Sequence, residues 1–311
     1  MLDYKNLAAV SAIIEEQSFD KAAQKLHVTQ SAISQRLRQL EEHLGQRLVI
    51  RSNPIQATPA GQQVIKHFQQ ICLLQDELRK TLSPQLESGF TRVSIGVNAD
   101  SLETWLLDAL APLLSRHQIL LDIKIDDQDQ TQQLLRNGSV SGCITSSATP
   151  IQGCNCIPLG VMPYRCLASP DYIAQYFPGG VSAKMLHQAP IAEFNHKDEL
   201  QNRYLDQFFN IKPGNYPRHR IPSSVAFFDL IVRGHTCGMV PDQQSHAMLA
   251  AGKVVDLTPG QYLAVPLYWH VWNLKSALTT QLTDALTHAA QNSLDRFEEH
   301  PLLTPASVGN D

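Results

Sequence analysis

The sequence predicts an α/β protein that begins with a helical module, and three observations carry that prediction. Apolar residues recur at helical spacing from Leu7 to Leu40. A proline-free, amphipathic stretch then runs from Ala60 to about Thr81. Beyond residue 91, β-branched runs alternate with helical patterns, as expected for a parallel sheet with crossover helices. A chain of 311 residues accommodates two or three domains. The pattern divides it into residues 1–59, a connecting helix and hinge over 60–90, and a large region over 91–300.

The N-terminal elements follow from spacing and caps. Leu7, Val10 and Ile14 form the apolar stripe of a first helix. Ser18 is placed to cap a second helix, whose buried face is Ala22, Ala23 and Leu26. The two alanines leave room for a close helix crossing. His27 and Val28 make a short turn, Thr29 stands at an N-cap, and Ile33, Leu37 and Leu40 repeat along a third helix. Its other face carries Gln30, Ser31, Ser34, Gln35, Arg36 and Arg38, short polar or long basic donors suited to base edges and phosphates. A helix with such a face, preceded by a helix and a tight turn, is a helix-turn-helix reader of double-stranded DNA. Gln30, Ser31 and Arg36 are the foremost candidates for contact. Thr29 and the free amides of the helix start are suited to a phosphate.

Charge distribution agrees with this reading although total charge does not. The formal net charge is −4, which by itself argues weakly against nucleic acid. Between Lys21 and Arg51, however, six basic residues face only Glu41 and Glu42, a net +4.

In the connecting helix, Val64, Phe68, Ile71, Gln75, Leu78 and Leu82 are spaced 4, 3, 4, 3 and 4, an a/d seam with one polar member. Such a stripe is buried either on its own domain or against a second subunit. Ser83 to Gly89 reads as a hinge.

The large region starts with a strand at 92–98, a helix containing Trp105, Leu106, Leu110 and Leu113, a strand at 119–125, a helix near 129–136 and a strand at 140–145. A second set has strands near 164–168, 190–194 and 236–240 and helices near 170–176, 198–209 and 224–233. A strand at 265–271 and a closing helix at 276–297 complete it, and residues from His300 read as a loose tail. In open parallel sheets ligands bind beyond the carboxyl ends of the strands. That rule selects Asn98, Ala99, Asp100, Ser101, Asp126, Asp127 and Thr145 from the first set, and Phe194 and Ser224 from the second. Ser101 and Ser224 are expected as N-caps that bind a carboxylate. Asp100, Asp126 and Asp127 suit an ammonium or guanidinium, so the pattern points to a cationic amino acid. The plainer role for each aspartate is a helix cap or a solvated strand end.

The run Ala22-Ala23-Gln24-Lys25-Leu26-His27-Val28-Thr29-Gln30-Ser31-Ala32-Ile33-Ser34, with Leu40-Glu41, Leu44-Gly45 and Leu48 after it, resembles the N-terminal signature of LysR-type transcriptional regulators. The resemblance implies a winged helix-turn-helix, a linker helix that pairs antiparallel in a homodimer, and a two-lobed effector domain like periplasmic binding proteins. Its lobes would comprise residues 91–162 with 267–300, and 163–266. It also implies RNA polymerase as a partner and a dimer or tetramer as the working form. The wing departs from the family pattern, because Arg51 is the only guanidinium between it and Gly61. Asn98-Ala99-Asp100-Ser101-Leu102 with Trp105-Leu106-Leu107, Asp256 to Gly260, and Tyr268-Trp269-His270 resemble the arginine- and lysine-responsive ArgP/LysG branch. That likeness implies lysine or arginine as effector and control of amino-acid export or of lysine and arginine metabolism. A different small-molecule effector, or an effector-independent inhibitor of replication initiation, are the alternatives.

Other classes are disfavoured. Hydrophobic residues make up 43%, too many for wholesale disorder. No apolar run reaches the roughly 18 residues of a membrane span, and the start Met-Leu-Asp-Tyr-Lys-Asn lacks a secretory signal, so a cytoplasmic protein is expected. Cys154-Asn155-Cys156, with Cys143 and Cys166 nearby, lacks the paired spacing of structural zinc. His270 reads as a packed crossing-strand residue. No nucleophile elbow, phosphate loop or dinucleotide fingerprint is present, so neither a cofactor nor catalysis is expected.

Overall fold

In the computed structural model, which describes residues 2–82, 89–125, 131–274 and 276–300, three short polar side chains open the first three helices. Asp3 accepts from the Lys5 amide at the start of α1 (Tyr4–Glu16), Ser18 from Lys21 at α2 (Phe19–Lys25), and Thr29 from Ala32 at α3 (Gln30–Leu44). Each satisfies an amide that the helix itself leaves without a partner. His27, at φ 52°, makes the reversal between α2 and α3. Leu7, Val10, Ile13, Ala22, Ile33, Leu37 and Leu40 bury together where the helices cross.

Buried Glu41 joins this bundle to a wing. One carboxylate oxygen accepts from the Leu48 amide at 2.8 Å and the other from Arg47 at 3.1 Å. β1 (Val49–Ile50) and β2 (Gln56–Ala57) pair antiparallel. The Thr58 hydroxyl donates to the Arg47 carbonyl at 2.7 Å and accepts from the Gly61 amide at 3.0 Å, opening α4 (Pro59–Leu82). A Cβ on Gly61 would stand 2.1 Å from the Leu48 carbonyl oxygen, so only glycine allows this approach.

The seam of α4 divides. Ile65 is buried in the bundle core, with Val64, Phe68 and Ile71 packed against it, so the first half of the stripe is covered by its own domain. Leu74, Leu78 and Leu82 are exposed and available to a partner. Leu73 turns the other way, onto Leu135, Val140, Ile151 and Trp272. The helix thus lies between the bundle and the large region. Two further contacts fix it there: Gly138 packs against the Lys66 backbone, and Glu77 accepts from the Ala277 amide at 2.9 Å. Beside it, Arg92 of the large region pairs with Glu15 of α1 at 3.6 Å.

The large region follows the expected alternation, with differences that have physical reasons. β3 (Thr91–Val97) leads into α5 (Ala99–Ser101), which continues through a π-helical turn, Leu102–Leu106, into α6 (Leu107–Arg116). β4 (Ile119–Ile125), α7 (Thr131–Arg136) and β5 (Gly142–Thr145) follow. β6 (Cys154–Ala168) starts ten residues before the predicted strand at 164, because its first half pairs with the returning strand and carries little alternation. The second lobe contains α8 (Pro170–Tyr176), α9 (Ala183–Leu186), β7 (Ile191–Glu193), α10 (Leu200–Phe209), β8 (Arg218–Arg220), α11 (Ser224–Val232), β9 (Gly238–Pro241), α12 (Asp242–Ala250) and β10 (Val255–Asp256). α12 was not predicted; only Ser245 is buried in it, so it has no apolar stripe. β11 (Leu263–Trp272) returns the chain, and α13 (Ala277–Ser293) ends four residues before the predicted 297.

One seven-stranded sheet carries this region, in the order β10-β6-β11-β5-β3-β4, with β9 also on β6. β3 is parallel to β4 and β5, whereas β6 and β11 cross antiparallel between the lobes. Trp269 of β11 is fully buried and lies against Gly142, where a Cβ would be 2.2 Å from its ring. His300 is not a loose end. It is buried, with its ring nitrogens 3.1 Å from Asp295 and 3.4 Å from Tyr262. Among the described residues no helix is long and apolar enough to cross a membrane.

The Gly61 contact gives a direct test of the wing–helix junction. Gly61→Ala should destabilise the N-terminal unit by about 1–3 kcal/mol, because a backbone carbonyl has no easy way to yield. Gly89→Ala, at a position without a left-handed backbone and whose added Cβ meets nothing within 4 Å, is the control for adding a methyl group without a clash. Urea unfolding of both variants reads the difference; equal losses would show that the Gly61 approach is not a packing constraint.

Candidate DNA-reading face and inter-lobe cleft

On α3, the buried residues Ile33, Leu37 and Leu40 set which side faces out. Gln30, Ser31, Gln35 and Arg38 are exposed, Ser34 is half-buried among them, and Arg36 is half-buried and turned about 160° around the helix from Arg38. Thr29 is exposed, and its hydroxyl serves the helix cap while lying 3.0 Å from that of Ser31. Arg51 is exposed on the wing, with its guanidinium 5.1 Å from the centroid of Phe19, a cation–π contact that ties it to the start of α2. Arg47, paired with buried Glu41, adds a second exposed guanidinium just before the wing.

The second site is a cleft of about 120 Å³ between the lobes. Five of the residues selected by the strand-end rule line it: Asn98, Ala99, Asp100, Phe194 and Ser224. Asp126 and Asp127 lie outside the described residues. Thr145 is fully buried beneath the surface, and its neighbour Ser146 lines the cleft instead. The two expected serine caps are both displaced. Asn98 holds the N-cap position of α5, without a side-chain cap bond, and Ser101 is buried inside the helix. Ser223 caps α11 by accepting from the Ala226 amide, which leaves the Ser224 hydroxyl free for another partner.

That partner is Asp100. One carboxylate oxygen of Asp100 accepts from the Ser224 hydroxyl at 2.6 Å, and the other from the Tyr164 hydroxyl at 2.7 Å. Ser224 belongs to the second lobe and Tyr164 to a crossing strand, so one carboxylate joins the two lobes. Burial pushes its pKa above the ordinary carboxylate range, and the two hydroxyl donors only partly oppose this.

Further cleft residues were not selected from the sequence. Gln201 is 1% exposed and fixed in orientation, because its Oε1 accepts from the Met239 amide at 3.0 Å. Its Nε2 has no hydrogen-bond partner, nor has either polar atom of the buried Asn98 amide. Buried polar groups are normally paired, so these donors and acceptors are open to a polar ligand. Asp198 is consumed locally, accepting from the Phe194 and Leu200 amides at 2.8 and 3.0 Å. Lys197, Glu199 and Arg203 stand exposed at the mouth. The π-helical turn follows the cleft immediately; such turns occur often at functional sites.

Elsewhere the sequence reading of packed groups agrees with the coordinates. His270 is fully buried on β11, with Nε2 2.8 Å from the Ser147 carbonyl, and burial lowers its pKa. Burial lifts the Cys143 thiol to about 12. Among the described residues no group of three histidine, cysteine or acidic side chains is placed to hold a metal ion.

The Asp100 environment dictates a pH dependence. A raised carboxylate pKa means the folded chain holds this proton more tightly than the unfolded chain does. Its contribution to stability therefore falls as pH rises from the ordinary carboxylate range through the raised value, then stays level. Asp100→Asn lacks this loss, so its melting temperature relative to wild type should climb across that window. Parallel melting curves over pH 3.5–7.5 would contradict the assignment.

Comparison with known proteins places both regions of the chain in one family. The family model for the bacterial regulatory helix-turn-helix protein of the lysR family matches residues 4–62, and that for the LysR substrate binding domain matches residues 87–304. The chain is 41% identical over 293 residues to the HTH-type transcriptional regulator ArgP of Aeromonas salmonicida, spanning 94% of this chain and 98% of that one. It superposes on the crystal structure of ArgP from Mycobacterium tuberculosis with a TM-score of 0.85 at 36% identity, over 95% and 99% of the two chains. Against full-length LysG from Corynebacterium glutamicum with bound effector Arg the TM-score is 0.77 at 33% identity, over 94% and 99%. The chain belongs to the LysR family of DNA-binding transcriptional regulators, and within it to the ArgP/LysG branch.

Proposed function

We propose that this regulator binds operator DNA through α3 and its wing and takes lysine or arginine in the inter-lobe cleft, thereby controlling amino-acid export or lysine and arginine metabolism genes. The observation that carries the effector reading is the Asp100 carboxylate, buried between the lobes at a net electrostatic cost. A ligand ammonium or guanidinium supplies a counter-charge where Asp100 is met by two neutral hydroxyls. A buried ionisable group kept at a cost to stability is a sign of a functional site. The arginine-bound LysG relative supports the same ligand class.

On DNA, Gln30, Ser31, Ser34, Gln35, Arg36 and Arg38 face base edges and phosphates, Thr29 lies at the phosphate-facing start of α3, and Arg51 anchors the wing. A homodimer through the exposed Leu74, Leu78 and Leu82 of α4, assembling further to a tetramer, sets two reading helices on successive half-sites. RNA polymerase is the onward partner. Ligand binding changes the Asp100–Ser224 contact across the lobes and so shifts the balance between subunit arrangements.

Operator binding measured with and without a panel of amino acids tests this reading as a whole. Lysine or arginine should alter the footprint or affinity while neutral amino acids leave both unchanged; indifference to both would sink the effector assignment. Separately, Arg36→Ala should weaken operator binding by about 1–3 kcal/mol if its guanidinium reads a base, and an unchanged footprint would remove it from the reading face.

A further inference from the structure

We infer that Gln201 holds the ligand's carboxylate and is the residue by which the cleft distinguishes a basic amino acid from the corresponding amine. The inference rests on the cationic amino-acid reading above and adds a specificity determinant to it. The side-chain amide of Gln201 is not free to choose its role. Its oxygen is fixed on the Met239 amide of β9, so the group that remains for the cleft is Nε2, a donor. That nitrogen is buried, has no partner, and belongs to a residue lining the cleft from the second lobe. A basic amino acid offers two donor groups, its ammonium and its side-chain cation, and one acceptor, its carboxylate. Only the carboxylate satisfies Gln201. The cations are left for Asp100, whose two oxygens keep lone pairs beyond those used by Tyr164 and Ser224. Ligand charges are thereby sorted between lobes, carboxylate to α10 and cation to the start of α5.

A site built to hydrogen-bond a ligand group rejects the analogue that lacks it, because its own buried partner is then left unsatisfied. Arginine and lysine should therefore bind well above their decarboxylated counterparts, agmatine and cadaverine. The competing holders of the carboxylate are the unpartnered Nδ2 of Asn98 and the cations of Lys197 and Arg203 at the cleft mouth. Substitution of Gln201 separates it from all three.

The experiment is calorimetric titration of the full-length protein with arginine, agmatine, lysine and cadaverine, for wild type, Gln201→Leu, Gln201→Glu and Arg203→Ala. Gln201→Leu should weaken the amino acids about 10–100-fold while leaving the amines nearly unchanged. Gln201→Glu keeps an acceptor for the Met239 amide and replaces the donor with an anion, so it should invert the preference toward the amines. This second variant also guards against a fold defect in the first, since a misfolded protein gains no affinity for anything. Arg203→Ala should preserve the discrimination. Retention of the discrimination in both Gln201 variants would overturn the inference, whichever of Asn98, Lys197 and Arg203 then holds the carboxylate. Absence of any amino-acid binding by wild type would instead defeat the effector reading on which it stands.

Discussion

The Asp100 carboxylate joins the two lobes of the effector region. It sits after the first strand of one lobe and accepts hydroxyls from Tyr164 on a crossing strand and Ser224 at the start of a helix in the other lobe. Two neutral hydroxyls do not replace the water that an ionised carboxylate loses on burial, and its raised pKa reflects that shortfall. The unsatisfied amides of Asn98 and Gln201 repeat the same pattern of stability held below its maximum at a site. The cleft has unpartnered buried polar atoms on both sides, Asn98 on one and Gln201 on the other.

The same strand that ends at this carboxylate begins at the DNA-binding unit. β3 runs from Thr91 to Val97, about 20 Å at strand rise, with the Arg92–Glu15 pair at one end and Asn98 to Asp100 at the other. α4 makes the second connection, with its first half in the bundle core, Leu73 on the effector core and Glu77 at the start of α13. No loop lies between the cleft and the contact with α1 along β3. Rigid elements with direct contacts at both ends are the means by which a change in lobe closure reaches the reading helices in the proposed mechanism.

Much of this was legible in the sequence where a local rule governs. Ser18 and Thr29 cap their helices because short hydroxyls followed by an apolar stripe leave little choice, and the β-branched run at 119–125 is a strand with those limits. The cleft residues Asn98, Asp100, Phe194 and Ser224 emerged from their positions at strand ends. What failed depended on partners far away in the chain. Ser223 and Ser224 are equivalent in sequence, and only the distant Asp100 decides which is a cap and which a bridge. Gln201 stands in the middle of a helix and acquires its meaning from the Met239 amide, 38 residues on. The a/d seam of α4 is regular from Val64 to Leu82, yet the bundle covers its first half and leaves the second exposed, a division that periodicity does not encode.

The central claim is that Asp100 is kept buried and ionisable because a ligand cation completes it. Calorimetric titration of arginine and lysine into wild type and Asp100→Asn tests this most directly. The account predicts saturable binding to wild type, and at least about a tenfold loss in the variant, as expected when a charge-assisted hydrogen bond is removed, in a protein that remains folded. Full affinity in Asp100→Asn would contradict it.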